Sequence, residues 1–165
     1  MTAAPPTPQD FRSVLGHFAS GITIITGVCE GRPVGFTCQS FSALSLDPPM
    51  VVILPALTSR TWPQIARGGN FGVSVLAHDQ QDICARFARS GTDKFSGVEW
   101  RTSRLGLPMI VGACAWIDCS IETSHTGGDH EIVVGAVHHL EADGAREPLL
   151  FHRGRYAHAV PVGSP

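Results

Sequence analysis

The sequence predicts a mainly β protein, a closed antiparallel barrel carrying short flanking helices. Three observations lead there. Apolar or alternating runs of strand length recur at residues 22–28, 32–39, 50–54, 71–76, 113–122, 131–140 and 149–152. Turn signals of hairpin type, Glu30-Gly31 and Gly127-Gly128-Asp129, join neighbouring runs. No strand–helix–strand alternation runs through the chain, which sets a doubly wound parallel sheet aside. The tally is roughly seven strands with two or three short helices, and the 165 residues suit one domain.

Residues 1–9 have neither the basic start nor the apolar core of a signal peptide, so they read as a disordered, proline-rich arm. Asp10 then precedes Phe11, Val14, Leu15 and Phe18, apolar positions on one helical face, with Asp10 as cap and Gly21 as stop. Residues 22–28 are β-branched and nearly continuous, a buried strand whose partner returns over residues 32–39. Pro48-Pro49 demarcates the strand at 50–54, and Pro63 suits the first position of a helix capped by Thr61 or Trp62.

After the strand at 71–76, Asp79 caps a helix with Ile83, Cys84, Phe87 and Ala88 on its inner face. Residues 90–108 lack a period and read as an ordered excursion. From Ala113 the alternation is clean: Ala113, Ala115, Ile117, Cys119 and Ile121 point one way, Trp116, Asp118, Ser120 and Glu122 the other. The domain is expected over residues 10–160, with 161–165 a tail.

Composition narrows the function classes. Charged residues make up only 16% of the chain against an average of about 25%, so a subunit interface is expected. A formal charge of −2 argues against nucleic acid or an anionic membrane as the main partner. No apolar run approaches the ~20 residues of a spanning helix, and the default location is cytoplasmic. The five cysteines form no Cys-x-x-Cys pair and read as reduced, mostly buried thiols.

The most distinctive stretch is residues 35–49, where Thr37, Ser40, Ser42 and Ser45 crowd between apolar runs. Such short hydroxyl side chains either solvate a loop or face a polar ligand. No Gly-x-Gly-x-x-Gly turn or phosphate loop exists, so any nucleotide would be held by other means. Thr37 to Ser40 could line a phosphate or a ring edge; Ser59-Arg60-Thr61 could hold an anion or simply cap a helix. His138 and His139 face opposite sides of a strand, and no Cys/His spacing suits a metal. A serine elbow for hydrolysis is absent too. His130 follows Gly127-Gly128-Asp129, where Asp129 either fixes the ring tautomer or is an ordinary turn residue.

In order along nearly the whole chain, these stretches resemble the flavin reductases of two-component flavin monooxygenases. The resemblance is carried by residues 18–26, the stretch 35–49, Ser59-Arg60-Thr61-Trp62, residues 71–76, Phe87-Ala88, Lys94-Phe95, Gly128-Asp129-His130, residues 148–152 and Tyr156. It implies an FMN-binding split barrel that forms a homodimer, with flavin (FAD or FMN) near the interface. By that resemblance Thr37, Cys38, Gln39, Ser40 and Ser45 belong to the flavin lining. Ser59, Arg60 and Thr61 hold its phosphate, and Phe87, Ala88 and Lys94 lie beside it. Asp129, His130 and Tyr156 meet the nicotinamide of NADH (or NADPH), His130 having the catalytic part. Relatives often carry Ala or Ser where this chain has Cys38.

The activity so implied is hydride transfer from NAD(P)H to flavin, which then leaves for a separate oxygenase. The rivals are a non-catalytic flavin-binding module and a split-barrel FMN oxidase, the latter short of basic residues for a phosphorylated substrate.

Overall fold

The computed structural model describes residues 5–91 and 93–163. Helix α1 (Pro8–Leu15) opens the fold. Thr7 caps it reciprocally: the Thr7 hydroxyl oxygen accepts the Asp10 N–H at 3.2 Å, and the Thr7 N–H reaches the Asp10 carboxylate at 3.1 Å. The Thr7 hydroxyl, donating to that carboxylate at 2.6 Å, and then the Thr7 N–H hold the Asp10 carboxyl below its usual range. Asp10 is therefore inside the first turn, not the cap, and the helix stops at Gly16 instead of Gly21. Pro8 and Gln9, expected in the arm, are helical. The apolar face made by Phe11, Val14 and Leu15, with Phe18 beyond it, lies exposed, Phe18 at 82%.

The other elements follow as β1 (Ser20–Gly21), β2 (Thr23–Cys29), β3 (Arg32–Cys38), β4 (Phe41–Leu46), β5 (Pro49–Ile53), α2 (Trp62–Ala66), β6 (Asn70–Val75), α3 (Gln81–Ala88), β7 (Trp100–Thr102), β8 (Pro108–Ile110), β9 (Ala115–Gly127), β10 (His130–Ala142), β11 (Leu149–His152) and β12 (Arg155–His158). Seven strands form one antiparallel sheet in the order β3-β2-β6-β9-β10-β5-β4. Its two edge strands, β3 and β4, are consecutive in the chain across Gln39-Ser40. No ladder seals them to each other among the described residues, although the Leu54 N–H reaches the Ser40 carbonyl at 3.1 Å. A three-stranded sheet, β1-β11-β12, and the β7–β8 hairpin complete the β structure.

Two apolar cores lie around β2. One gathers Ile25, Ile53, Trp62, Ile65, Phe71 and Val133; the other gathers Ile22, Ile24, Leu76, Phe87, Phe95 and Ile110. Burial on both faces explains the continuous apolar run at 22–28. Two close approaches require glycine. A Cβ on Gly27 would stand 2.9 Å from Ile65 of α2, and one on Gly35 would stand 2.9 Å from the Phe87 ring of α3.

Three expectations need correction. The excursion at 90–108 contains β7 and leads into its hairpin with β8, because Phe95 fills the space between Phe87 and Trp100, edge to face at 4.9 and 6.0 Å. Asp118, expected on an outward face, is 1% exposed, because that hairpin covers it and Ser103 Oγ donates to its carboxylate at 2.5 Å. Asp79 does not cap α3. The helix begins after Gln80, whose side chain accepts the Ala77 N–H and donates to the Val111 carbonyl, while Asp79 pairs with Arg146 at 3.2 Å. All five cysteines are free, and no helix among the described residues is long and apolar enough to cross a membrane.

Gly135 tests the packing argument. A Cβ there would meet the fully buried Phe71 ring at 2.5 Å. Gly135→Ala should cost about 1–3 kcal/mol by overpacking, read as a lower urea midpoint with an unchanged slope.

Candidate ligand-binding site

The hydroxyl run is split between two strands. Thr37 is the last residue but one of β3, its Oγ1 donating to the Cys84 carbonyl of α3 at 2.7 Å. Cys38 is buried with its Sγ 3.3 Å from Ser40 Oγ, and Ser40 Oγ donates to the Leu54 carbonyl at 3.0 Å. Burial pushes the Cys38 thiol up, so it stays protonated at neutral pH. Gln39 is exposed. Ser45 belongs to β4 beside a β-bulge at the Ala43–Ser45 step, on an element that the sequence reading left as part of a polar stretch.

Arg60, Thr61 and Lys94 do come together, on a groove of about 940 Å³ along the free edge of β3. The volume lies in the roughly 300–1,000 Å³ range of small-molecule sites. Lys94, the only lysine of the chain, donates to the carbonyls of Gly35 and Phe87, each at 3.0 Å. Partial burial lowers its pKa. It thus clamps the β3 edge to the end of α3 while keeping one donor free for a ligand. Ser59 is already engaged, its Oγ accepting the Trp62 N–H at 3.1 Å. Phe87 is wholly enclosed and supports Gly35 from behind instead of touching a ligand, whereas Ala88 is exposed.

Asp129 and His130 stand at the β9–β10 turn. His130 Nδ1 lies 2.7 Å from Asp129 Oδ1, and Asp129 is held below the usual carboxylate range by that hydrogen bond and by the ring's charge. With Asp129 as acceptor the ring proton sits on Nδ1, leaving Nε2 as the outward-facing atom. The turn is tied to the loop that leads into Ser59: the Leu57 N–H reaches the Asp129 carbonyl at 2.9 Å, and Trp62 Nε1 donates to Glu131 at 3.1 Å. Tyr156 sits elsewhere. Its hydroxyl donates to Cys84 Sγ at 3.4 Å, so it stands behind Thr37 across α3. No hydrogen bond joins Tyr156 to His130 among the described residues. Thr37 and Tyr156 meet on different atoms of Cys84, while Ser40 is bound to the Leu54 carbonyl.

Two groove residues, Arg32 and Arg67, escaped the sequence reading. Neither makes an ion pair among the described residues, nor does Arg60. The detectable signal was scarcity, since the whole chain holds 12 Lys and Arg. A second cleft of about 370 Å³ is lined by Arg101, Arg104, Trp116, Asp118 and His139. His139 is nine residues along β10 from His130, and the two clefts share no lining residue. The donor set of the larger groove, guanidinium groups without carboxylate partners beside hydroxyls and a free sheet edge, suits an anionic group such as a phosphate.

Residues 15–159 match the flavin reductase like domain family. The chain is 51% identical over 154 residues to the flavin-dependent monooxygenase reductase subunit HsaB of Rhodococcus jostii, covering 93% of this chain and 79% of that one. It superimposes at a TM-score of 0.92 on nitrilotriacetate monooxygenase component B of Mycobacterium thermoresistibile, with 50% identity, 95% of this chain and 89% of the other. The NADH:FAD oxidoreductase SgcE6 of Streptomyces globisporus, solved with NAD and FAD fragments, superimposes at 0.89 with 34% identity, 98% of this chain and 100% of the other.

Tyr156 is the only tyrosine, so tyrosinate absorbance reads its environment alone. The Cys84 hydrogen bond, then burial, pushes its pKa up to about 12. A raised folded pKa means that this contribution to stability is complete below the unfolded value of about 10 and is lost as pH rises through the folded one. Spectrophotometric titration should find the folded chain still phenolic near pH 10 and the urea-unfolded chain half ionised there. Coincident curves would remove the Tyr156–Cys84 contact.

Proposed function

Because the chain belongs to the flavin reductase like domain family, we propose that it is an NADH-dependent flavin reductase feeding reduced flavin to a separate oxygenase component. The observation that carries this reading is the meeting of Arg60 and Thr61 with Lys94 on a groove along the strand that bears Thr37 and Cys38. Flavin, when bound, supplies the hydride acceptor, and the nicotinamide supplies the hydride.

The chain's own part is recognition and orientation. Arg60 and Thr61 hold the flavin phosphate by charge-assisted bonds. The backbone at residues 37–40 and the polar side chains there line the ring system, where donors favour the charge that develops on it. His130, its tautomer fixed by Asp129, presents Nε2 to the carboxamide of the nicotinamide and so sets the distance and angle of approach. Tyr156 bounds the opposite end. None of these residues needs to transfer a proton for hydride to move.

We further propose a homodimer of split barrels. Support comes from the exposed apolar face of Phe11, Val14 and Leu15, with Phe18, and from Leu44 and Leu46 on the free edge strand β4. The free thiols suit a reducing, cytoplasmic setting.

Steady-state assays crossing FAD and FMN with NADH and NADPH test the reading: NADH oxidation should require added flavin, and no turnover with any pair would sink it. His130→Ala should raise the KM for NADH about tenfold, some 1.4 kcal/mol, with flavin affinity unchanged; equal loss of both would make His130 structural. Sedimentation should give a dimer, and Phe18→Asp combined with Leu15→Asp should shift it toward monomer.

A further inference from the structure

The segment that leads to Arg60 and Thr61 and the turn that carries His130 are stitched together by backbone. Ala56 bridges His130; the Leu57 N–H reaches the Asp129 carbonyl and the Glu131 N–H reaches the Pro55 carbonyl, both at 2.9 Å. Past Leu57 the chain turns away, the Ser59 N–H returning to the Ala56 carbonyl at 2.9 Å. The short ladder therefore ends before Arg60 and Thr61. Backbone pairing fixes where that segment starts and leaves these two residues untied to the hairpin.

A side chain supplies the missing tie. Glu131 is half-buried, and its Oε2 accepts both the Trp62 Nε1–H at 3.1 Å and the Ser124 hydroxyl at 2.9 Å. Ser124 lies on β9, so one carboxylate joins both strands of the hairpin to the first residue of α2, directly after Thr61. Trp62 is a firm anchor. It is 2% exposed, and its ring stands edge to face with Phe36 of β3 and Phe71 of β6, at 6.5 and 6.1 Å between centroids. A buried indole N–H needs an acceptor, and among the described residues Glu131 is the one it has. The bond is charge-assisted, hence strong and directional.

We propose that Glu131 is a positioning residue for hydride transfer: through Trp62 it locks the Asp129-His130 turn in register with Arg60-Thr61. The proposal rests on His130 meeting the nicotinamide and Arg60-Thr61 the flavin phosphate. With the tie lost, each ligand still finds its own residues while their relative placement loosens. The loss then falls on kcat rather than on either affinity.

Hydrogen exchange at the three indole N–H groups of the flavin-free chain reads the tie directly. Trp62→Phe assigns the Trp62 signal by deleting it. Trp116, whose Nε1 donates to the Ile110 carbonyl at 2.7 Å, reports global folding. Glu131→Ala should speed exchange at Trp62 about tenfold and leave Trp116 unchanged. Glu131→Gln keeps a carbonyl acceptor and should restore both protection and turnover. With NADH and flavin saturating, Glu131→Ala and Trp62→Phe should each lower kcat about tenfold, with the KM for NADH and the flavin Kd unchanged. Combined, they should be no slower than either alone. Unaltered Trp62 exchange in Glu131→Ala would overturn the proposal, as would a wild-type kcat in that variant or losses that multiply in the double variant. An inactive wild type removes the reductase reading even where Glu131 protects Trp62. An active wild type beside an equally active Glu131→Ala removes only the role of the tie.

Discussion

Everything in this fold hangs on β2 and the residue before it, a run that is dry on both faces from Ile22 to Gly27. Ile25 looks into one core, Ile22 and Ile24 into the other, and none is accessible to water. Such a strand cannot tolerate an unsatisfied hydroxyl, which would cost about 1–3 kcal/mol. Thr23 accordingly donates to the Cys38 carbonyl at 2.8 Å, and Thr26 donates to the Pro108 carbonyl at 2.5 Å. These two bonds fix both the end of β3 and the position of the β7–β8 hairpin. The same dryness brings α2 and α3 onto opposite sides of the β2–β3 pair, one through Ile65 against Gly27 and the other through Phe87 against Gly35. The outer edge of β3 is left between them, and that is where the groove lies.

Lys94 converts this packing into a charged site. Its ammonium bonds two backbone carbonyls from different elements, and half-burial makes those bonds worth more than surface contacts. Elsewhere the arginines that find carboxylates, Arg101 with Glu141 and Arg146 with Asp79 and Asp143, are partly exposed and contribute little, up to about 1 kcal/mol each. Arg32, Arg60 and Arg67 are left outside these pairs. The groove thus gathers three guanidinium groups that no carboxylate neutralises, an electrostatic preference for an anionic ligand rather than a stability device.

Local signals were legible where local physics decides. The run at 22–28, the Glu30-Gly31 and Gly128-Asp129 turns, and Pro63 at the start of α2 were readable because propensity and burial agree there. Errors arose where a distant element decides. Asp118 alternates as an outward residue and is buried only because the β7–β8 hairpin folds over it. Asp10 and Asp79 are both good caps in isolation, but Thr7 makes the capping bonds of α1 and Asp79 is drawn away to Arg146. The site divided in the same way. Thr37, Ser40 and Asp129-His130 announce themselves by composition, whereas Arg32 and Arg67 are ordinary surface arginines until the β3 edge and α2 bring them to one groove. Phe87 went the opposite way, a residue marked by resemblance whose ring is sealed inside the core.

The hydroxyls that first mark the chain as a ligand binder are therefore less free than their spelling suggests. Thr37 and Ser40 each give their proton to a backbone carbonyl, of Cys84 and of Leu54. A hydroxyl so engaged offers a ligand only its lone pairs. The side chains of the run are then acceptors, suited to N–H groups of a ligand. The strand end is thereby tied to α3 on one side and to β5's last residue neighbour, Leu54, on the other. The bonds that spend the hydroxyl protons are the bonds that hold the strand end in position.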